Sequence, residues 1–120
     1  MRVLIVESNP NLGRLWQGHL ERAGCEVTLA ASQGDAIDLL RGAEVAVIVL
    51  DLVLEEGSAF SVADFASYRQ PRAKVVFVTN TSFFSDGSIF EHIPNACAFL
   101  QSEIPPEDLT VMVQHYGTTG

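Results

Sequence analysis

Three runs of this sequence consist only of apolar residues, most of them β-branched: Val3-Leu4-Ile5-Val6, Val45-Ala46-Val47-Ile48-Val49-Leu50 and Val75-Val76-Phe77-Val78. A strand with one solvated face alternates apolar and polar residues, whereas an unbroken run fits a strand covered on both faces. Such strands belong to the middle of a parallel sheet. Parallel neighbours cannot be joined by a hairpin, so each needs a long crossover connection, usually a helix. The intervals between these runs should therefore read as helices, and they do.

Leu12, Leu15, Trp16, His19, Leu20 and Ala23 recur on one helix face between an Asn9-Pro10 start and a Gly24 stop, which predicts a helix over residues 10–23. Residues 34–41 offer Ala36, Ile37 and Leu40 before Gly42, and Ser58 can cap a helix carrying Ala59, Val62, Ala63 and Ala66. A further helix is expected within residues 83–92, interrupted by Gly87 and stopped by Pro94. The last helix opens at Pro105-Pro106-Glu107-Asp108, shows Leu109, Met112, Val113 and Tyr116 on one face, and should end at Gly117. Residues 27–31, which include the polar Thr28, and residues 96–100, mixed in size, suit strands nearer the sheet edges. The expectation is an α/β fold of five βα units: a doubly wound sheet of five parallel strands between two helical layers. Residues 1–117 should form one domain, with residues 118–120 a flexible tail.

Composition excludes several function classes. Hydrophobic residues make up 48% of the 120-residue chain and charged ones 18%, which is enough apolar surface for a core and too much for disorder. The net charge of −8 leaves little basic surface to neutralise phosphates, so direct nucleic-acid binding is not expected. The longest apolar run, residues 45–50, is far too short to span a bilayer. No signal-peptide core precedes Glu7, so no membrane insertion and a cytoplasmic location are expected. Cys25 and Cys97 fit neither a disulfide framework nor a metal spacing, and His19, His92 and His115 share no ligand spacing.

In open parallel sheets the functional site lies beyond the carboxyl ends of the strands. There the sequence puts Glu7-Ser8, Asp51, Thr79-Asn80 and Gln101-Ser102. Two carboxylates on adjacent strands match the oxygen ligands Mg²⁺ prefers, and a hydroxyl on the next strand could receive a phosphoryl oxygen. Strand-end polar groups that simply meet water remain the plain alternative. A flavin or nucleotide site has little support, since residues 8–13 hold one glycine and no Gly-rich phosphate loop follows a strand.

The whole arrangement resembles the receiver domain of two-component response regulators. The likeness rests on Val3-Leu4-Ile5-Val6-Glu7-Ser8-Asn9-Pro10, on Ala23-Gly24-Cys25-Glu26-Val27, on Val75-Val76-Phe77-Val78-Thr79, and most specifically on Val47-Ile48-Val49-Leu50-Asp51-Leu52-Val53-Leu54-Glu55-Glu56-Gly57-Ser58. It implies a flavodoxin-like fold and a signalling module that is not an enzyme beyond self-catalysed phosphoryl acceptance at Asp51. Thr79 would contact the phosphoryl group, Glu7, Asp51 and the Val53 carbonyl would hold Mg²⁺, and Thr79 with Phe99 would form the switch. A plain core role for Phe99 stays equally open.

The departures from the family pattern are as informative. Ser8 stands where a second acid is usual, Ser102 at the family's lysine, Glu103 at its following proline, and Glu55 at the proline of the third loop. Ser8 brings no charge to the cation, and Ser102 no ammonium to the phosphoryl oxygens, so a weakened Mg²⁺ site is expected. Two readings follow: an atypical receiver used as a protein-interaction module, or a working phosphoacceptor modified on Asp51. Implied partners are a sensor histidine kinase or phosphotransfer protein, or a downstream target, met through a face that would include Phe83, Phe84, Phe90, Val111 and Tyr116. Homodimerisation is left open.

Overall fold

The apolar runs become the centre of the sheet. In the computed structural model, which describes residues 1–79 and 93–118, the order is β1 (Arg2–Val6), α1 (Pro10–Arg22), β2 (Glu26–Ala30), α2 (Gln33–Gly42), β3 (Val47–Asp51), α3 (Ala59–Arg69), β4 (Lys74–Thr79), β5 (Ala96–Gln101) and α4 (Pro106–Thr118). All five strands are parallel, in the order β2-β1-β3-β4-β5, so the two mixed strands are indeed the edges. The helix expected within residues 83–92 lies outside the described residues.

Alternation along each strand divides the core into two layers. Leu4, Val6, Ile48, Leu50, Val75 and Phe77 pack under α2 and α3, while Val3, Ile5, Val47, Val49, Val76 and Val78 pack under α1 and α4. Phe77 and Trp16 are the largest fully buried side chains, one in each layer. Removing either ring would cost about 3–5 kcal/mol, because the cavity left behind adds to the lost transfer energy.

The helix ends follow from local chemistry. Asn9 caps α1 by accepting from the N–H groups of Asn11 and Leu12, and Ser32 and Ser58 cap α2 and α3 in the same way. Beyond α1, Gly24 at φ +96° donates to the Glu21 carbonyl and Cys25 to that of Leu20, the paired bonds of a Schellman stop.

Two boundaries differ from the sequence expectation. β3 begins at Val47 rather than Val45, because the Val45 N–H is taken by the Gln70 side chain at 2.9 Å. α4 runs through Gly117 to Thr118: a Cβ at position 117 would collide with the Met1 side chain, so glycine allows close packing, and the Thr118 hydroxyl donates to the Gln114 carbonyl.

Candidate functional site

The strand register builds the site. Val6 lies opposite Leu50 in the β1–β3 pair, which brings the next residues, Glu7 and Asp51, side by side at the carboxyl edge. Glu7 is buried, 6% exposed, beneath α1 at Gly13, where a Cβ would stand 3.7 Å from that of Glu7. Its Oε1 accepts the Asn9 N–H at 3.1 Å, while Oε2 is buried with no donor supplied to it. Asp51 is half-buried, and its Oδ1 accepts the Val53 N–H at 3.0 Å.

Two adjacent carboxyls, one buried, cannot both ionise cheaply. Burial foremost, then hydrogen bonding and charge proximity to Asp51, push the Glu7 pKa up to about 8 against the opposing pull of the Asn9 N–H. A proton on Glu7 would relieve the repulsion between the two carboxyls. A divalent cation would do the same by displacing that proton, so Glu7, Asp51 and the backbone at Val53 suit a hard cation. The donor set is small: among the described residues no three His, Cys, Asp or Glu side chains gather as a metal-binding group.

Ser8 turns away from this pair. Its hydroxyl donates to the Ala31 carbonyl at 3.1 Å and accepts the Glu55 N–H at 3.0 Å, linking the connections that follow β1, β2 and β3. A second tether lies beside it, where the Gln33 side chain accepts the Ser58 N–H at 2.8 Å and the Gln33 N–H meets the Glu56 carbonyl. Gly57, at φ +88°, passes so close to Gln33 that a Cβ there would overlap its side chain. The segment after Asp51 is thus fastened at Glu55, Glu56 and Ser58. Neither Ser8 nor Gln33 announces this role in the sequence; the one visible signal is Gly57, placed between two acids and a capping serine.

Across the sheet, Thr79 is fully buried at the end of β4, and its carbonyl accepts the Ser102 N–H at 2.7 Å. Ser102 is half-buried just past β5. Phe99 is half-buried and packs against the α2/α3 layer. Of the expected interaction face, Val111 is exposed on α4, and Tyr116 packs against the α1/α4 layer with its ring edge-on to His115. Phe83, Phe84 and Phe90 lie outside the described residues. Cys25 and Cys97 are free thiols held above their ordinary pKa by burial, Cys97 at about 11.

The family model for the response regulator receiver domain matches residues 3–114. The chain belongs to that family. No curated protein matches this receiver. Among solved structures it is similar to a CheY-like receiver domain protein from Methanospirillum hungatei JF-1, at TM-score 0.84 and 22% identity over 99% of this chain and 98% of that one. The non-phosphorylated HemR receiver domain of Leptospira biflexa superposes at TM-score 0.85 with 21% identity, over 98% and 94% of the two chains. The receiver domain of the Francisella response regulator 1452 does so at 0.85 with 15% identity, over 98% and 97%. At these identities the structural likeness speaks for the fold, and the family match for a receiver of two-component signalling. No helix among the described residues of this receiver is long and apolar enough to cross a membrane.

Proposed function

We propose that this is an atypical receiver, a cytoplasmic signalling module whose output runs through protein contacts, with weak or no Mg²⁺-dependent phosphorylation. The observation that carries the reading is the Ser8–Glu55 hydrogen bond. With the bond from the same hydroxyl to the Ala31 carbonyl, it needs a group at position 8 that both donates and accepts, and a residue with an N–H at position 55. These are two places where the chain departs from the family pattern, so the departures act together. A tether of hydrogen bonds holds the loop after Asp51 where a cation would otherwise organise it, and Ser102 offers no ammonium to draw phosphate and loop movement together.

Mg²⁺, when bound by Glu7 and Asp51, would neutralise charge on phosphoryl oxygens. With only two carboxylates, one needing to lose its proton first, affinity should be low at neutral pH. The partner that reads the module is a kinase, a phosphotransfer protein or a downstream target.

A second reading has its own support. Asp51 is open at the rim beside the orphaned Glu7 oxygen, an arrangement able to accept a phosphoryl group slowly. The experiment that separates the two is intact mass after incubation with a small phosphoryl donor, with and without Mg²⁺, and with Asp51→Asn as control. The proposal expects no adduct or a trace. A substantial Mg²⁺-dependent adduct that vanishes in the variant would make this a working phosphoacceptor.

A further inference from the structure

Several hollows among the described residues lie at the opposite pole, around the amino ends of the strands. One, of 640 Å³, opens between the α2–β3 connection and the α3–β4 turn. Val45, Ala46 and Pro71 give it an apolar lining, Arg2, Arg69 and Arg72 surround that with guanidinium groups, and Glu44 is the one acid. A second hollow of 310 Å³ shares the residues from Pro71 to Ala73 and extends to Lys74 and Asn95, and a third shares Arg69 and reaches Arg41. Five of the chain's seven Lys and Arg therefore line one pole of a molecule whose net charge is −8.

Helix ends account for part of this. Arg41 and Arg69 stand in the last turns of α2 and α3, where cations complement the helix dipole, and Arg2 pairs with Glu26 at 3.1 Å. Arg72 and Lys74 lie on no helix, and among the described residues no carboxylate pairs with either. Between them and β5, Asn95 is buried: its amide donates to the Ala73 carbonyl at 3.0 Å, and its Oδ1 has no hydrogen-bond partner.

We propose that this pole is a docking groove for a short acidic peptide segment of a partner protein, carrying at least one apolar side chain. Its carboxylates would engage Arg72 and Arg69, whose forks match a carboxylate in two-point geometry. Its apolar side chain would cover Val45, Ala46 and Pro71. Free phosphate would leave the apolar lining unused. A dense polyanion such as nucleic acid would meet the repulsion of the whole chain. The groove is remote from Asp51 in the topology, so the proposal stands apart from the phosphorylation reading.

The test is fluorescence anisotropy with labelled peptides that combine Asp or Glu with Leu or Phe at varied spacing, against Lys-substituted and purely acidic controls. Both the intact chain and its Asp51→Asn variant would be used. Acidic-apolar peptides should bind, more weakly as salt rises, and equally well to the two proteins. Arg72→Glu should lower affinity about tenfold or more, while Glu44→Gln should raise it, opposite shifts that a folding defect cannot produce together. Peptide binding no better than to the Lys-substituted controls overturns the proposal. So does indifference to both substitutions, or tighter capture of polyphosphate or single-stranded DNA than of any peptide.

Discussion

Glu7→Gln isolates the consequence of burying one carboxyl beside another. In the wild type the Glu7 pKa moves from 4.5 to about 8, so between these values the native state holds a proton that the unfolded chain has released. Stability from this group is fully present below about pH 4.5 and is lost as pH rises through about 8. At ~1.36 kcal/mol per unit, the shift sets a ceiling near ~5 kcal/mol. Asp51 is half-exposed, so water screens the interaction, and about 2–3 kcal/mol is the expected loss. Glutamine keeps the Oε1 acceptor for the Asn9 N–H and puts a neutral amide in place of the ionisable carboxyl. Urea unfolding at intervals from about pH 5 to about pH 9 should show wild-type midpoints falling relative to those of the variant, with unchanged slopes. Near the top of that range, millimolar MgCl₂ should restore part of the loss in the wild type and none in the variant. Parallel pH profiles for the two proteins would refute the reasoning, because Glu7 would then ionise in the folded state as freely as in the unfolded one.

Three further outcomes are expected. Ser8→Ala and Glu55→Pro each remove the same hydrogen bond, so each should lower stability by about 1 kcal/mol and the double variant by less than the sum, read from a thermal-unfolding cycle. Gly57→Ala imposes a Cβ at φ +88° and against the Cβ of Gln33, and should cost about 2–3 kcal/mol by denaturant midpoint; Gln33→Ala in the same chain keeps that Cβ and should recover little of the loss, whereas Gln33→Gly should recover the part due to overlap. Gln70→Ala strips the partners from the Leu40 and Ala43 carbonyls and the Val45 N–H, and should destabilise by about 3 kcal/mol while leaving phosphoryl-donor chemistry at Asp51 untouched.

Much of the fold was legible because its central strands are buried on both faces and say so in unbroken apolar runs. The edge strands were readable from the polar residues they tolerate, as at Thr28. The pair Glu7 and Asp51 was legible too, since the parallel register that joins Val6 to Leu50 follows from strands that end in those acids. The direction of a small polar side chain was not. Ser8 follows a strand, where the fold turns and a hydroxyl can face the sheet edge or the neighbouring loops with equal local cost. Only the tertiary placement of Ala31 and Glu55 decides it. Gln70 was invisible for the same reason: its three bonds reach residues at least 25 positions away in sequence. Gly117 misled because glycine near a helix end usually marks a stop, whereas here it makes room for Met1.

Glu7 and Ser8 divide between them what a cation does in a more acidic rim. A divalent ion balances the charge of clustered carboxylates and ties the surrounding loops to one another. On the proposed reading, a proton on Glu7 would take the first role, and the Ser8 hydroxyl, bound to Ala31 and Glu55, the second. A loop already fastened gains less from binding an ion, because a ligand shifts an equilibrium only by its differential affinity for the two states. On the proposed reading, a weak Mg²⁺ response and a fixed loop would be linked consequences of the same two residues. Ser8→Asp combined with Glu55→Pro should reverse both: it removes the Ser8–Glu55 tether, adds a third carboxylate, and should yield tighter Mg²⁺ binding than the parent chain by calorimetry at neutral pH. Failure to gain such binding in a folded double variant would mean that position 8 does not face the cation even when free to do so, and that the loop is organised by Gln33 instead.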